Sequence, residues 1–153
     1  MELKEPKTRQ DLDKYYYLRW RALRQPWNQP KGSEKDELDE KAVHVMACEG
    51  GYIVGVGRLH MNNPQEARIE HVAAEDGLME KGAGAGLMEW LEKRASDMGA
   101  AEIVLIANED SLKFYESRGY VKRCGAEPLF GMNRFIMAKP LHKISQKRKQ
   151  AGN

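Results

Sequence analysis

Residues 67–107 constrain the fold more than any other stretch of this chain. "ARIEHVAA" (67–74) alternates apolar and polar side chains, the period of a strand with one buried face. The glycine run "KGAGAG" (81–86) follows, and Leu87, Leu91, Ala95 and Met98 then recur at helical spacing. Gly99 suits the left-handed residue that closes a helix. "EIVLIA" (102–107) is almost continuously apolar, as a strand covered on both faces must be, and such strands belong to parallel pairs. Strand, glycines, helix and strand therefore form one crossover unit joining parallel neighbours in a sheet.

The flanking segments supply antiparallel partners. Residues 8–25 read as a helix capped by Thr8, with Leu12, Tyr16, Trp20 and Leu23 as the apolar stripe and Arg19 and Arg21 off it. Pro26 ends it. "QPWNQPKGSEKDELDE" (25–40) is polar and turn-rich, and is expected to be a long mobile surface segment, with Trp27 a candidate pocket wall. "AVHVMAC" (42–48) and "YIVGVGRLHM" (52–61) form a hairpin across "EGG", with residues 67–74 as its third strand. Gly55 and Gly57 mark a bend or a close approach. A short helix at 110–118 and strands at 120–124 and 134–139 complete a mixed α/β (α+β) layout: antiparallel N-terminal strands, a parallel crossover, and flanking helices.

At 153 residues, one domain over 1–142 is expected, followed by a basic, disordered tail at 143–153. Against 23 acidic residues stand 25 Lys and Arg, and a net charge of +2 makes no case for a nucleic-acid partner. No apolar run reaches the ~20 residues that span a bilayer, so no membrane partner is expected. Cys48 and Cys124 are too few for a disulfide framework and read as packed free thiols. With no secretory signal at the N-terminus, the cytoplasm is the expected location. The four His and two Cys show no zinc-ligand spacing, so no metal is expected.

The glycines suit an anion. The dinucleotide fingerprint needs a glycine where Leu87 stands, and no P-loop string exists. What remains is a short turn at a helix N-terminus, where the backbone N–H groups of residues 81–86 would be unpaired and point outward in the positive field of the helix. Glycines let a pyrophosphate approach, and Lys81 adds charge. Tight helix–sheet packing would use the same glycines.

A second element decides between these. In "ANEDSLKFYESRGY" (107–120), Asn108 follows the buried strand and Tyr115 sits on the next short helix. Together with "VAAEDGLMEKGAGAGLMEWLEKRA" (72–95), this stretch resembles the GNAT superfamily of acyl-CoA N-acyltransferases, and the upstream helix, loop and hairpin follow the family's order.

The resemblance implies an N-acetyltransferase in which acetyl-CoA is attacked directly by a primary amine in a ternary complex. It implies that Val72 and Ala74 offer backbone groups to the pantetheine and thioester. Lys81, Gly82, Ala83, Gly84 and Ala85 would wrap the pyrophosphate. Asn108 and Ser111 would contact the pantetheine or adenine, and Tyr115 would be the general acid. Met79 departs from the family pattern, since it replaces an Arg or Gln and cannot donate a hydrogen bond. Glu70, two residues before Val72, is a candidate base, with an ion pair to Arg68 or His71 as the structural alternative. Phe114 reads as a better core residue than Tyr115. Two other readings stay open: a non-catalytic acyl-CoA sensor, and an acyltransferase like the acyl-homoserine-lactone synthases, suggested by the Arg-rich first helix. The acidic "SEKDELDE" (33–40) would attract a cationic acceptor, and a homodimer is left open.

Overall fold

The structure is a computed structural model, and it describes residues 1–141. The tail expected at 143–153 lies outside the described residues. In chain order the elements are β1 (Glu2–Lys4), α1 (Arg9–Leu23), β2 (Val43–Glu49), β3 (Tyr52–Asn63), β4 (Glu66–Ala74), α2 (Gly84–Asp97), β5 (Glu102–Asn108), α3 (Leu112–Ser117), β6 (Val121–Leu129) and β7 (Met132–Pro140). The seven strands form one mixed sheet in the order β1-β2-β3-β4-β5-β7-β6. The expected parallel crossover is present: β4 pairs β5 in parallel, through Glu66–Glu102, Ala67–Ile103 and Arg68–Val104.

The chain divides into two compact units, residues 1–60 with 69–91, and residues 61–68 with the remainder from 92. In the first unit, β2 and β3 form the expected hairpin, and β1, which has no clear sequence signal, pairs antiparallel with β2. Tyr15 and Leu18 of α1 pack on Met46, Val56 and Ala73. The first turns of α2 bury Leu87, Met88 and Leu91 completely. The sequence suggests that Gly55 and Gly57 mark a bend or close approach. Added methyls there would stand 2.9 Å from Leu87 Cδ1 and Leu91 Cδ1, so these are the places where the helix side chains enter the sheet.

In the second unit, β5 and β6 both pair antiparallel with β7 around Ile103, Leu105, Ala107 and Met137. The last two strands are longer than their apolar cores suggest. Phe130 (φ 50°) and Gly131 (φ 77°), both left-handed, close a tight turn between them.

α1 is capped as expected, with the Asp11 N–H donating to Thr8 Oγ1 at 3.0 Å. Its buried face is rotated from the expected stripe. Tyr15, Leu18 and Arg19 are buried, and Arg19 has no exposed surface at all. Both cysteines are free thiols, but only Cys48 is partly packed; Cys124 is exposed on β6, contrary to expectation.

Candidate active site

The turn leading into α2 is built by wide backbone bonding. Leu78 accepts from the N–H groups of Lys81 (3.2 Å) and Ala83 (3.1 Å), and Met79 accepts from Gly84. This corrects the expectation that all N–H groups from 81 to 86 are unpaired, because those of Lys81, Ala83 and Gly84 are engaged within the turn. Gly82 makes the turn possible. Its φ of 114° is strained for any residue with a Cβ, and an added Cβ would meet nothing within 4 Å. The surface over Gly82 is thus open, as close approach of a pyrophosphate requires. Ala85 lies in the first turn of α2, at its positive end.

β4 leads into this turn and carries Glu70, Val72 and Ala74, all partly exposed. His71 has a φ of 57°, a left-handed conformation rare inside a strand, which kinks β4 just before Val72. Its ring is held neutral: burial, reinforced by Arg19, Arg58 and Arg24, lowers its pKa from 6.5 to about 3. Glu70 is in an ion pair with Arg58, a partner on the neighbouring strand. Its Oε1 accepts from Arg58 Nη2 at 3.0 Å and lies 3.7 Å from His60 Nδ1.

Arg58 is fully buried on β3 and grips Asp36 with both terminal nitrogens (2.7 and 3.0 Å) and Asp39 with one (2.9 Å). Arg19, also fully buried, donates to Asp39 (2.9 Å), the Glu34 carbonyl (3.2 Å) and the Tyr15 hydroxyl (3.0 Å). Burial alone would raise the Asp39 pKa, but the Asp36 N–H and the two guanidiniums lower it to about 2. Residues 25–40, expected to be a long mobile surface segment, are therefore anchored by buried charge at Glu34, Asp36 and Asp39. Of their acidic residues, Asp39 and the half-exposed Asp36 pair with the buried arginines, and the Glu34 carboxylate accepts from the Gly32 N–H.

The second unit holds the other candidate residues. Asn108 ends β5 and precedes a single turn at Glu109–Ser111, and neither Asn108 nor Ser111 caps the helical turn it precedes with its side chain. Tyr115 on α3 is 8 % exposed, and it rather than Phe114 is the buried ring of the pair. Its ring meets Phe114 and Tyr120 edge-on, at centroid distances of 5.0 and 5.8 Å. Burial raises its pKa to about 12, so the phenol carries its proton at neutral pH. No protein group among the described residues hydrogen-bonds its hydroxyl. Tyr120, by contrast, donates to Glu92 at 2.8 Å, and Glu92 also faces Lys139 and Arg118.

Of the buried arginines, the sequence singles out Arg19 only as a residue off the apolar stripe of an Arg-rich helix, and Arg58 not at all. Arg19 follows Leu18 on a helix rich in aromatic residues, and Arg58 interrupts an apolar strand between Gly57 and Leu59. That interruption is the available signal: a charge at a core position needs a buried partner.

The comparisons with known proteins make this chain an acyl-CoA-dependent N-acyltransferase. The model of the Acetyltransferase (GNAT) family matches residues 12–120, and the chain belongs to that family. It is 30 % identical over 114 residues to a Bacillus subtilis (strain 168) protein described as uncharacterized N-acetyltransferase YjcF, covering 74 % of this chain and 81 % of that one. An acyl-CoA N-acyltransferase from Pseudomonas aeruginosa has the same fold, with a TM-score of 0.76 at 21 % identity over 90 % of this chain and 97 % of that one. An aminoglycoside 6'-N-acetyltransferase complexed with coenzyme A superposes with a TM-score of 0.78 at 18 % identity, over 94 % of this chain and 98 % of that one. At such identities the likeness to these two structures is one of fold. No helix among the described residues is long and apolar enough to cross a membrane.

Proposed function

We propose that the chain, with residues 1–142 acting as one catalytic domain, transfers an acetyl group from acetyl-CoA to a primary amine by direct attack in a ternary complex. The observation that carries this reading is the Tyr115 hydroxyl: protonated, on a buried ring, and engaged by no protein group among the described residues. Its oxygen is not among the buried atoms that lack a partner, so the hydroxyl keeps access to solvent and can be met by a leaving thiolate.

In this reading Lys81, Gly82, Ala83, Gly84 and Ala85 hold the pyrophosphate, the Val72 and Ala74 backbone groups meet the pantetheine and thioester, and Asn108 and Ser111 complete the binding of coenzyme A. Glu70 accepts a proton from the incoming ammonium. The amine nitrogen then bonds to the thioester carbon. As the carbon–sulfur bond breaks, the sulfur takes the Tyr115 proton, and the second amine proton restores the phenol. One acetyl group moves, one thiol forms, and one proton is released. No enzyme nucleophile is required, so neither Cys48 nor Cys124 takes part.

The test is a panel of primary amines assayed by free-thiol release from acetyl-CoA, beside calorimetric binding of coenzyme A. Amine-dependent thiol release supports the reading. Tight coenzyme A binding with no turnover on any amine favours a sensor instead.

A further inference from the structure

Arg58 has an unusual place for a fully buried charge. It sits on β3 at the junction of Glu70 and the covering segment 25–40, and its Nη2 serves two carboxylates at the same distance, Asp36 Oδ2 at 3.0 Å and Glu70 Oε1 at 3.0 Å. Its Nη1 serves Asp36 and Asp39. Three carboxylates (Asp36, Asp39 and Glu70) thus share two guanidiniums, Arg58 and Arg19. In a cluster built on two fully buried guanidiniums, a carboxylate that loses a competitor for a guanidinium gains that cation's field.

We propose that Arg58 is a positioning residue that holds the Glu70 carboxylate in place, and that Asp36 of the covering segment sets how much of the Arg58 charge Glu70 receives. The proposal rests on the reading of Glu70 as the base. It links two parts of the chain that the sequence gives no reason to connect: the segment over the sheet and the proton acceptor on β4.

The groups around Glu70 decide the sign. From β3 it faces Arg58 and, at 3.7 Å, His60 Nδ1. The covering segment contributes Asp36 and Asp39 through Arg58, and α1 contributes Arg19 through Asp39. On its own strand stand Arg68 and His71, the latter with its Nε2 3.9 Å from Asp36 Oδ2 and its ring neutral. Removing the Asp36 charge leaves two carboxylates against two guanidiniums. Glu70 then holds its proton less readily. Asp36 is 38 % exposed, so Asn fits there.

The experiment is the pH dependence of kcat/KM with acetyl-CoA and an amine that turns over, joined to a 13C carboxylate titration of Glu70, which needs no amine. Asp36→Asn should lower the midpoint of the acid limb and of the Glu70 titration together, by about half to one pH unit. Arg58→Lys keeps the charge but loses the fork; kcat should fall about tenfold or more, with KM for acetyl-CoA unchanged. Glu70→Gln should abolish the acid limb. An acid limb that survives Glu70→Gln overturns the base assignment and the proposal with it. A limb lost in Glu70→Gln but unmoved in Asp36→Asn, or a Glu70 titration identical in the two backgrounds, overturns the proposal and leaves the base assignment standing.

Discussion

Tyr115→Phe isolates the proposed acid with little structural disturbance. The ring stays buried against Phe114 and Tyr120 at its present 5.0 and 5.8 Å centroid distances, and no hydrogen bond among the described residues is broken because the hydroxyl makes none there. Losing a hydroxyl that lacks a partner costs little, so thermal stability should change by no more than about 0.5 kcal/mol. Tyr120→Phe is the matched control. It removes the 2.8 Å bond to Glu92 and should cost about 1–2 kcal/mol, a value softened because Lys139 and Arg118 still face that carboxylate. Catalysis should show the reverse order. General acid catalysis contributes about 10²- to 10⁴-fold, so kcat of Tyr115→Phe should fall within that range while KM for acetyl-CoA holds. Free-thiol release gives the rates and thermal melting gives the stabilities. Full kcat in Tyr115→Phe refutes the assignment, and so does a loss matched by Tyr120→Phe, which would trace the effect to packing.

Gly84→Asp places a carboxylate in the first turn of α2, and coenzyme A affinity by calorimetry should drop at least tenfold; unchanged affinity would move the pyrophosphate elsewhere. Met79→Arg restores a donor, and if position 79 faces a phosphate it should tighten binding by up to about 1.5–3 kcal/mol. Equal or weaker binding would mean that Lys81 already fills this role. Acid should destabilise the fold in two stages. His71 is held neutral down to about 3 against an ordinary 6.5, so its contribution is complete above pH 6.5 and declines as pH falls below it. Asp39, depressed from 3.8 to about 2, contributes above pH 4 and loses that contribution as pH falls towards 2. His71 predicts a fall of about 1–3 kcal/mol in unfolding free energy between pH 6.5 and 4, and Asp39 adds to it only below pH 4. Urea unfolding across that range checks it, and a flat profile would show that the ring titrates freely.

The crossover around α2 was legible because period-2, glycine and period-3.6 patterns follow one another from 67 to 107, and each agrees with the element that forms. Family resemblance singles out Tyr115, but its burial relative to Phe114 is not legible, since both rings are apolar and adjacent. The covering segment 25–40 was misjudged for a physical reason. Its acidic composition is that of a solvated loop, and what anchors it are two arginines lying far off in sequence, one of them off the apparent apolar stripe. Patterning locates apolar burial. Burial of a guanidinium depends on carboxylates brought in from elsewhere in the chain, which no local window contains. The paired N–H groups of Lys81, Ala83 and Gly84 were equally hidden, because the wide turn depends on the left-handed Gly82 rather than on composition.

Gly55 and Gly57 lie beneath Leu87 and Leu91, which sit one helical turn apart on α2. Two such sockets key the helix: they index its rotation about its own axis as well as its height above the strands. The turn at 79–83 is continuous with α2 and inherits that index. With this turn holding the pyrophosphate as proposed, selection on coenzyme A affinity has a lever in the interior, through changes in leucine shape or glycine size that never touch the cosubstrate. Conversely, repacking this core for stability alone would re-aim the turn as a by-product.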